Sequence, residues 1–118
     1  IFDHPKFGAF VIHDDGQVIG YCGLMRFKPR QAYDITAESV VYLKPESIRK
    51  GIGTQAVAFL EDTARSRGMH SLLATVKSEN ANSIKMLEKC GYSSVAHYKE
   101  VGVKFGKLLD VDVLQKFL

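Results

Sequence analysis

Apolar and polar positions along the chain change period several times, and each change marks an element. Residues 7–13 (FGAFVIH) form a short β-rich run, and Asp14-Asp15-Gly16-Gln17 has the composition of a turn. Residues 18–26 (VIGYCGLMR) read as the return strand of a hairpin, with Gly20 and Gly23 pointing to a bulge or a close backbone approach. Residues 27–33 are a basic connection containing Pro29. Residues 35–43 (ITAESVVYL) alternate partly, are rich in β-branched side chains, and predict a third strand that Pro45 ends.

From Gly51 the period lengthens. Ile52, Ala56, Phe59, Leu60 and Thr63 fall on one helical face. Gly68 is the expected stop, with Arg65 and Arg67 suited to the helix C-terminus. Residues 72–76 (LLATV) are nearly all apolar, as in a central buried strand. A second helix begins near residues 80–83 and ends at Gly91, with Ile84, Leu87 and Cys90 as a narrow apolar stripe. Residues 92–103 and 108–118 read as two last strands around Lys104-Phe105-Gly106-Lys107. The order β-β-β-α-β-α-β-β predicts an α+β fold: a mixed, largely antiparallel sheet covered by helices. Its strand-helix-strand unit, residues 35–76, should be a right-handed parallel crossover.

Composition narrows the function classes. The 118 residues suit one domain, and 46% hydrophobic with 25% charged residues excludes a disordered or low-complexity chain. No apolar run approaches a membrane span, so no membrane is expected as partner. The net charge of +3 is mild and its cations are scattered, so no nucleic-acid partner is expected. Cys22 and Cys90 stand in unrelated contexts, without metal spacing or a disulfide framework, and His4, His13, His70 and His97 form no i, i+4 pair. The expectation is free thiols, no metal and a cytoplasmic setting.

The candidate chemistry begins at Arg49-Lys50-Gly51-Ile52-Gly53-Thr54, between a strand and a helix. Glycines here leave backbone N–H groups uncovered, the helix dipole favours an anion, and two cations stand beside them. A pyrophosphate site is one reading; a glycine turn with solvated cations is the other. A P-loop is absent. Gly51, Gly53 and Ala56 match the dinucleotide spacing, but residues 44–50 intervene after the strand, and no acidic residue follows near residues 72–76.

The same segment resembles the acetyl-CoA loop of the GCN5-related N-acetyltransferases, [QR]-x-x-G-x-[GA], with Ile48 in place of Gln or Arg. Asn80-Ala81-Asn82-Ser83-Ile84 through Glu88-Lys89-Cys90-Gly91-Tyr92 resembles that family's second signature. Residues 27–39 look like the substrate loop and following strand of its phosphinothricin and methionine sulfoximine branch. Gly102-Val103-Lys104-Phe105-Gly106, Asp110-Val111 and Gln115-Lys116-Phe117 look like its tail. The resemblance implies acetyl-CoA as cofactor and a small amino acid or analogue as amine substrate. It also implies a fold whose β-α-β core binds the cofactor, and it allows a homodimer.

Residue by residue, the resemblance makes Glu38 the base that takes the amine proton. It makes backbone groups of Val41 and Leu43 the edge on which pantetheine pairs like an added strand, with the Val41 N–H facing the thioester carbonyl. Arg49, Lys50, Gly51, Ile52, Gly53 and Thr54 would hold the pyrophosphate, and Asn80 and Ser83 would touch the cofactor. Asn80 is equally suited to cap a helix. Arg30 could pair with a substrate carboxylate, Phe27 (Trp in that branch) and Tyr33 could wall the pocket, and Thr36 could donate to the substrate. Leu87 stands where the family has the Tyr or His that protonates the departing thiolate, and neither Tyr92 nor Tyr98 has matching spacing. A non-catalytic CoA-binding module therefore stays open as an alternative, with a nucleotide-binding oxidoreductase domain behind it. Members of the family carry a further strand and helices before the hairpin, so the resemblance implies the C-terminal part of a longer chain, with the cofactor half complete.

Overall fold

The computed structural model describes residues 6–48 and 51–118. Eight elements follow the predicted order with ends shifted by a residue or two: β1 (Gly8–Asp14), β2 (Gln17–Arg26), β3 (Thr36–Leu43), α1 (Ile52–Ser66), β4 (Ser71–Lys77), α2 (Ala81–Lys89), β5 (Ser93–Lys104) and β6 (Lys107–Phe117). Single 3-10 turns at Gln31–Tyr33 and Pro45–Ser47 add to these. They are too short to leave a periodic signature in sequence.

The strands form one sheet in the order β1-β2-β3-β4-β6-β5. Among the described residues only β3 and β4 pair in parallel; the other four pairings are antiparallel. A doubly wound parallel sheet, which the dinucleotide reading of Gly51, Gly53 and Ala56 requires, is thereby excluded. Both tight hairpins turn on two residues with positive φ, Asp15-Gly16 and Phe105-Gly106, which matches the twist of the flanking strands. The Gly20 expectation holds in both senses. β2 carries an extra residue opposite Ile12/His13, and a side chain at Gly20 would collide with the Tyr42 carbonyl of β3.

Both helices pack on the sheet face that carries Cys22, Leu24, Ala37, Leu72, Ala74 and Leu114. From α1 the buried residues are Ala56, Val57, Leu60 and Ala64. The buried stripe is thus rotated from the predicted one, and Phe59 is 46% exposed. Its ring meets Phe10 edge-on at 4.9 Å, at the flank of the helix. Small alanines let α1 lie close to the sheet, which pushes the large ring outward. The α2 stripe is as expected: Leu87 is buried, with Ile84 and Cys90 packed against the core.

Gly91 joins α2 to β5 with φ of +98°. Gly91 N–H donates to the Glu88 carbonyl and Tyr92 N–H to the Leu87 carbonyl, both at 3.0 Å. This is a Schellman ending, which turns the next side chain back onto the helix. Lys116 Nζ closes the arrangement by donating to the Cys90 carbonyl at 2.6 Å while pairing with Glu61 of α1. Burial pushes the Glu61 carboxyl up, but Lys116 and Arg65 outweigh it and hold it below its ordinary value.

On the β5–β6 ribbon, His97 sits between two carboxylates, Asp112 at 2.5 Å and Asp110 at 3.4 Å. Asp110 also accepts from the Glu100 N–H at 2.8 Å, inside the irregular stretch between Tyr98 and Gly102. The Asp112 hydrogen bond raises the imidazole pKa, and the same contact lowers that of Asp112.

Two measurements test this account. Gly91→Ala meets both a left-handed φ and the Lys116 side chain at 3.0 Å, whereas Gly68→Ala (φ +77°) meets no neighbour. Gly68→Ala should cost roughly 1–2 kcal/mol in urea denaturation and Gly91→Ala more; equal costs would remove Lys116 from the account. Because the folded His97 pKa is raised, its contribution is complete below about pH 6.5 and lost as pH rises through the higher folded value. The stability gap between wild type and His97→Ala should therefore narrow from pH 6 to pH 9, and a pH-independent gap would contradict it.

Candidate functional site: a fork between two parallel strands

The Ile35 carbonyl accepts from His70 N–H at 2.7 Å and Ser71 N–H at 3.2 Å. Alternate residues of a parallel strand turn their backbone groups to the same neighbour. Ala37, Ser39, Val41 and Leu43 therefore direct theirs toward β4. The pairing runs Thr36–Ser71, Ala37–Leu72, Glu38–Leu73 and then stops. Yet β3 continues to Leu43 and β4 to Lys77. β3 stays on β2 as far as Leu43–Gly20, and β4 stays on β6 as far as Lys77–Val111. The sheet thus forks, and the backbone of Val41 and Leu43 faces the gap.

The apex of the fork is pinned on the helix face. Ser39 Oγ donates to the Leu73 carbonyl at 3.2 Å across the last rung, and it lies 3.0 Å from the Tyr92 hydroxyl. With the Ser39 proton committed to Leu73, the phenol is the donor to Ser39. The Schellman turn at Gly91 delivers the Tyr92 ring to this point, where it is 4% exposed. Burial pushes the phenol pKa above its ordinary value despite the Ser39 hydrogen bond, so it stays protonated at neutral pH.

Glu38 lies at the same level on the opposite, open face. Its carboxylate is half-buried and accepts from Thr75 Oγ1 at 2.8 Å, a bond that crosses the fork from β4. Further along this face the Tyr21 and Tyr42 rings stack at 5.5 Å, both largely exposed.

The β2–β3 connection stands at the other end of β3. Phe27 and Tyr33 meet edge-on at 6.1 Å, both partly exposed. Arg30 is exposed at the start of the 3-10 turn, and its carbonyl accepts from Tyr33 N–H. The Thr36 hydroxyl is engaged with Ser71 Oγ at 2.9 Å. Glu38 is thus flanked by the fork on one side and by this connection on the other.

Beyond the fork, α1 starts at Gly51, whose φ is +79°. The first intrahelical bond is Gln55 N–H to the Gly51 carbonyl. Among the described residues, the N–H groups of Ile52, Gly53 and Thr54 have no acceptor one turn back. A Cβ at Gly53 would touch Met86 at 3.7 Å and Leu43 at 3.9 Å, which ties this helix start to the end of β3 and to α2. The expectations for Arg49 and Lys50 lie outside the described residues. Asn80 caps α2 by accepting from Ser83 N–H at 3.2 Å, which leaves its amide nitrogen unused by the cap. Leu87 is buried in the core and has no proton to give. A separate, mostly apolar cavity of about 350 Å³ lies between β1 and α1, lined by Phe10, Ile12, His13, Cys22 and Phe59 among others.

Two residues of the fork, Ser39 and Thr75, escape a reading of the sequence, because they look like ordinary polar positions in β-rich segments. Tyr92 is visible there as the end of a signature and as an acid of unsuitable spacing, but not as the partner of Ser39. The signal of Ser39 and Thr75 is polarity inside otherwise apolar runs, which becomes informative only once the strands are placed.

A model of the acetyltransferase (GNAT) family matches residues 1–92. The L-methionine sulfoximine/L-methionine sulfone acetyltransferase of Salmonella typhimurium is 34% identical over 107 residues, covering 91% of this chain and 63% of its own length. A GNAT superfamily phosphinothricin acetyltransferase from Sinorhizobium meliloti, solved in complex with AcCoA, aligns with a TM-score of 0.90 at 30% identity, over 97% of this chain and 62% of that one. A ribosomal-protein-alanine N-acetyltransferase from Brucella melitensis aligns with a TM-score of 0.90 at 35% identity, over 95% and 69%. The chain spans 63% and 58% of the length of the first two curated relatives it matches.

Removing the pin should be measurable. Ser39→Ala leaves the Tyr92 hydroxyl without its partner and should cost about 1–3 kcal/mol in urea denaturation. Tyr92→Phe removes the donor itself and should cost about 1 kcal/mol. The double variant should cost less than the sum of the two, and strict additivity would mean that the hydroxyls do not act together.

Proposed function

The chain belongs to the acetyltransferase (GNAT) family, and from that premise we propose that it is an acetyl-CoA-dependent N-acetyltransferase acting on the primary amine of a small amino acid or analogue. The observation that carries the reading is the fork opening beside Glu38, with unpaired backbone on β3. An extended amide-bearing arm can pair with Val41 and Leu43 as an added strand would. The fork also leads outward to the free N–H groups at the start of α1, which suit a pyrophosphate. Asn80 and Ser83 would complete the cofactor contacts from α2, with Arg49 and Lys50 beside the glycines.

Bound there, acetyl-CoA supplies the acetyl group as an activated thioester. The chain's own contribution is positioning and proton handling. The Val41 N–H is a fixed donor for an oxygen that gains negative charge. Glu38 takes a proton from the amine, directly or through one water. Arg30, Phe27, Tyr33 and Thr36 are the substrate side, with Arg30 suited to a carboxylate. The names of the relatives support an amino acid analogue: one acts on methionine sulfoximine or sulfone, another on phosphinothricin. The reading keeps a reducing, cytoplasmic setting, in line with free thiols at Cys22 and Cys90. It allows a homodimer, for which the edge strand β5 offers exposed Val95, Val101 and Val103.

A second reading has its own observation. Leu87 cannot protonate a departing thiolate, as a non-catalytic CoA-binding module would not need to. One assay separates them: acetyl-CoA is offered with a panel of amino acids and analogues, and free thiol is read. Turnover supports the transferase; CoA binding by calorimetry without thiol release supports the module. For the transferase, Glu38→Gln should lower kcat roughly 100-fold to 10,000-fold while calorimetric CoA affinity stays unchanged. Unaltered turnover would remove Glu38 from the base role.

A further inference from the structure

We propose that Thr75 is a positioning residue for Glu38: its hydroxyl reaches across the fork from β4 and fixes the carboxylate of the base over the gap. The inference rests on the transferase reading for its consequence in catalysis, but not for the contact itself. Thr75 Oγ1 donates to Glu38 Oε1 at 2.8 Å. Glu38 stands on the last paired rung, opposite Leu73, and Thr75 stands two positions beyond Leu73, where the pairing has ended. The ladder thus fixes the Glu38 backbone at the apex, and the hydroxyl ties its carboxylate to the far wall of the gap.

The geometry divides the carboxylate into two functions. Oε1 is occupied by Thr75, and Oε2 is left to accept a proton. A β-branched residue suits the role, because its χ1 is stiff and the hydroxyl direction is fixed with it. A flexible carboxylate would spend its time in several rotamers, and misplacement by about 1 Å can cost a hundredfold in rate.

Among the described residues, no other charged group explains the orientation. On the open face β2 opposes Glu38 with Met25, β3 itself flanks it with Thr36 and Val40, and β4 offers Leu73 and Thr75. The ionisable groups further along the face are Tyr21 and Tyr42, a stacked pair four positions from Glu38 on β3, and Lys77 at the end of β4. On the helix face of the fork the nearby groups are the Tyr92 phenol and, beyond it, Glu61 with Lys116. Among the hydrogen bonds and ion pairs of the described residues, Thr75 is the partner of the Glu38 carboxylate.

Thr75→Val keeps the shape and removes the hydroxyl; Thr75→Ser restores it. Thr75→Val should lower kcat on the order of tenfold with KM for acetyl-CoA unchanged. Thr75→Ser should recover the rate. In a Glu38→Gln background Thr75→Val should cost nothing further. A wild-type rate in Thr75→Val would overturn the proposal, as would a loss of rate that persists in the Glu38→Gln background. A readout independent of turnover is the carboxyl carbon resonance of Glu38 in the free protein at neutral pH. A resonance that moves in Thr75→Val and returns in Thr75→Ser supports the contact, and an unmoved resonance overturns it. If the wild type releases no thiol with any amine, the transferase reading fails, and the resonance still decides for or against Thr75.

Discussion

The parting of β3 from β4 after the Glu38–Leu73 pair organises this molecule. A parallel pair in a sheet ordinarily saturates its backbone groups, because unpaired ones cost about as much as a lost hydrogen bond. Here each strand keeps its other neighbour to the end, β2 for β3 and β6 for β4. Only the edges facing each other are left open. Gly20 helps hold β3 on its own side, since a side chain there would strike the Tyr42 carbonyl. Two half-sheets that each follow their own twist can then diverge without either losing its ladder.

The apex is fastened from both faces, and the two fastenings differ in kind. On the helix face Ser39 bridges to the Leu73 carbonyl under a buried phenol, and that phenol is delivered by the glycine turn that ends α2. On the open face Thr75 bonds the Glu38 carboxylate within reach of solvent. Burial makes the first a structural pin, protonated and closed. Exposure leaves the second open to whatever binds beside it. Lys116 connects the pin to the rest of the domain, because it holds both the Cys90 carbonyl and Glu61 of α1. The position of the apex therefore depends on α1, α2 and β6 together.

The elements and their order were legible because period and punctuation agree: strands alternate, helices end at Gly68 and Gly91, and hairpins turn at Asp15-Gly16 and Phe105-Gly106. The α1 stripe was misjudged at Phe59 because hydrophobicity alone ranks a phenylalanine above an alanine. Close packing on a sheet prefers Ala56 and Ala64. Glu38 and the glycine segment were visible as candidate chemistry through motif. Thr75 was not, because a threonine in a β-rich run is what β propensity leads one to expect. A hydrogen bond between residues 37 apart in sequence carries no local signature.

On the proposed reading, an amine is acted on without the tyrosine or histidine that the resemblance leads one to expect. At that position the chain invests Leu87 in the core, where it stands under Tyr92 in the Schellman turn. The phenol next in line is committed to Ser39 and held protonated by burial. The helix face of the apex thus holds its protons in fixed hydrogen bonds, and the Glu38 carboxylate stands on the open face. On the proposed reading, a site built this way would place proton transfer at Glu38, on the face open to an amine, and leave the other side to geometry. The demand on Glu38 would then be one of direction more than of number of partners, a demand that a single stiff hydroxyl across the gap meets.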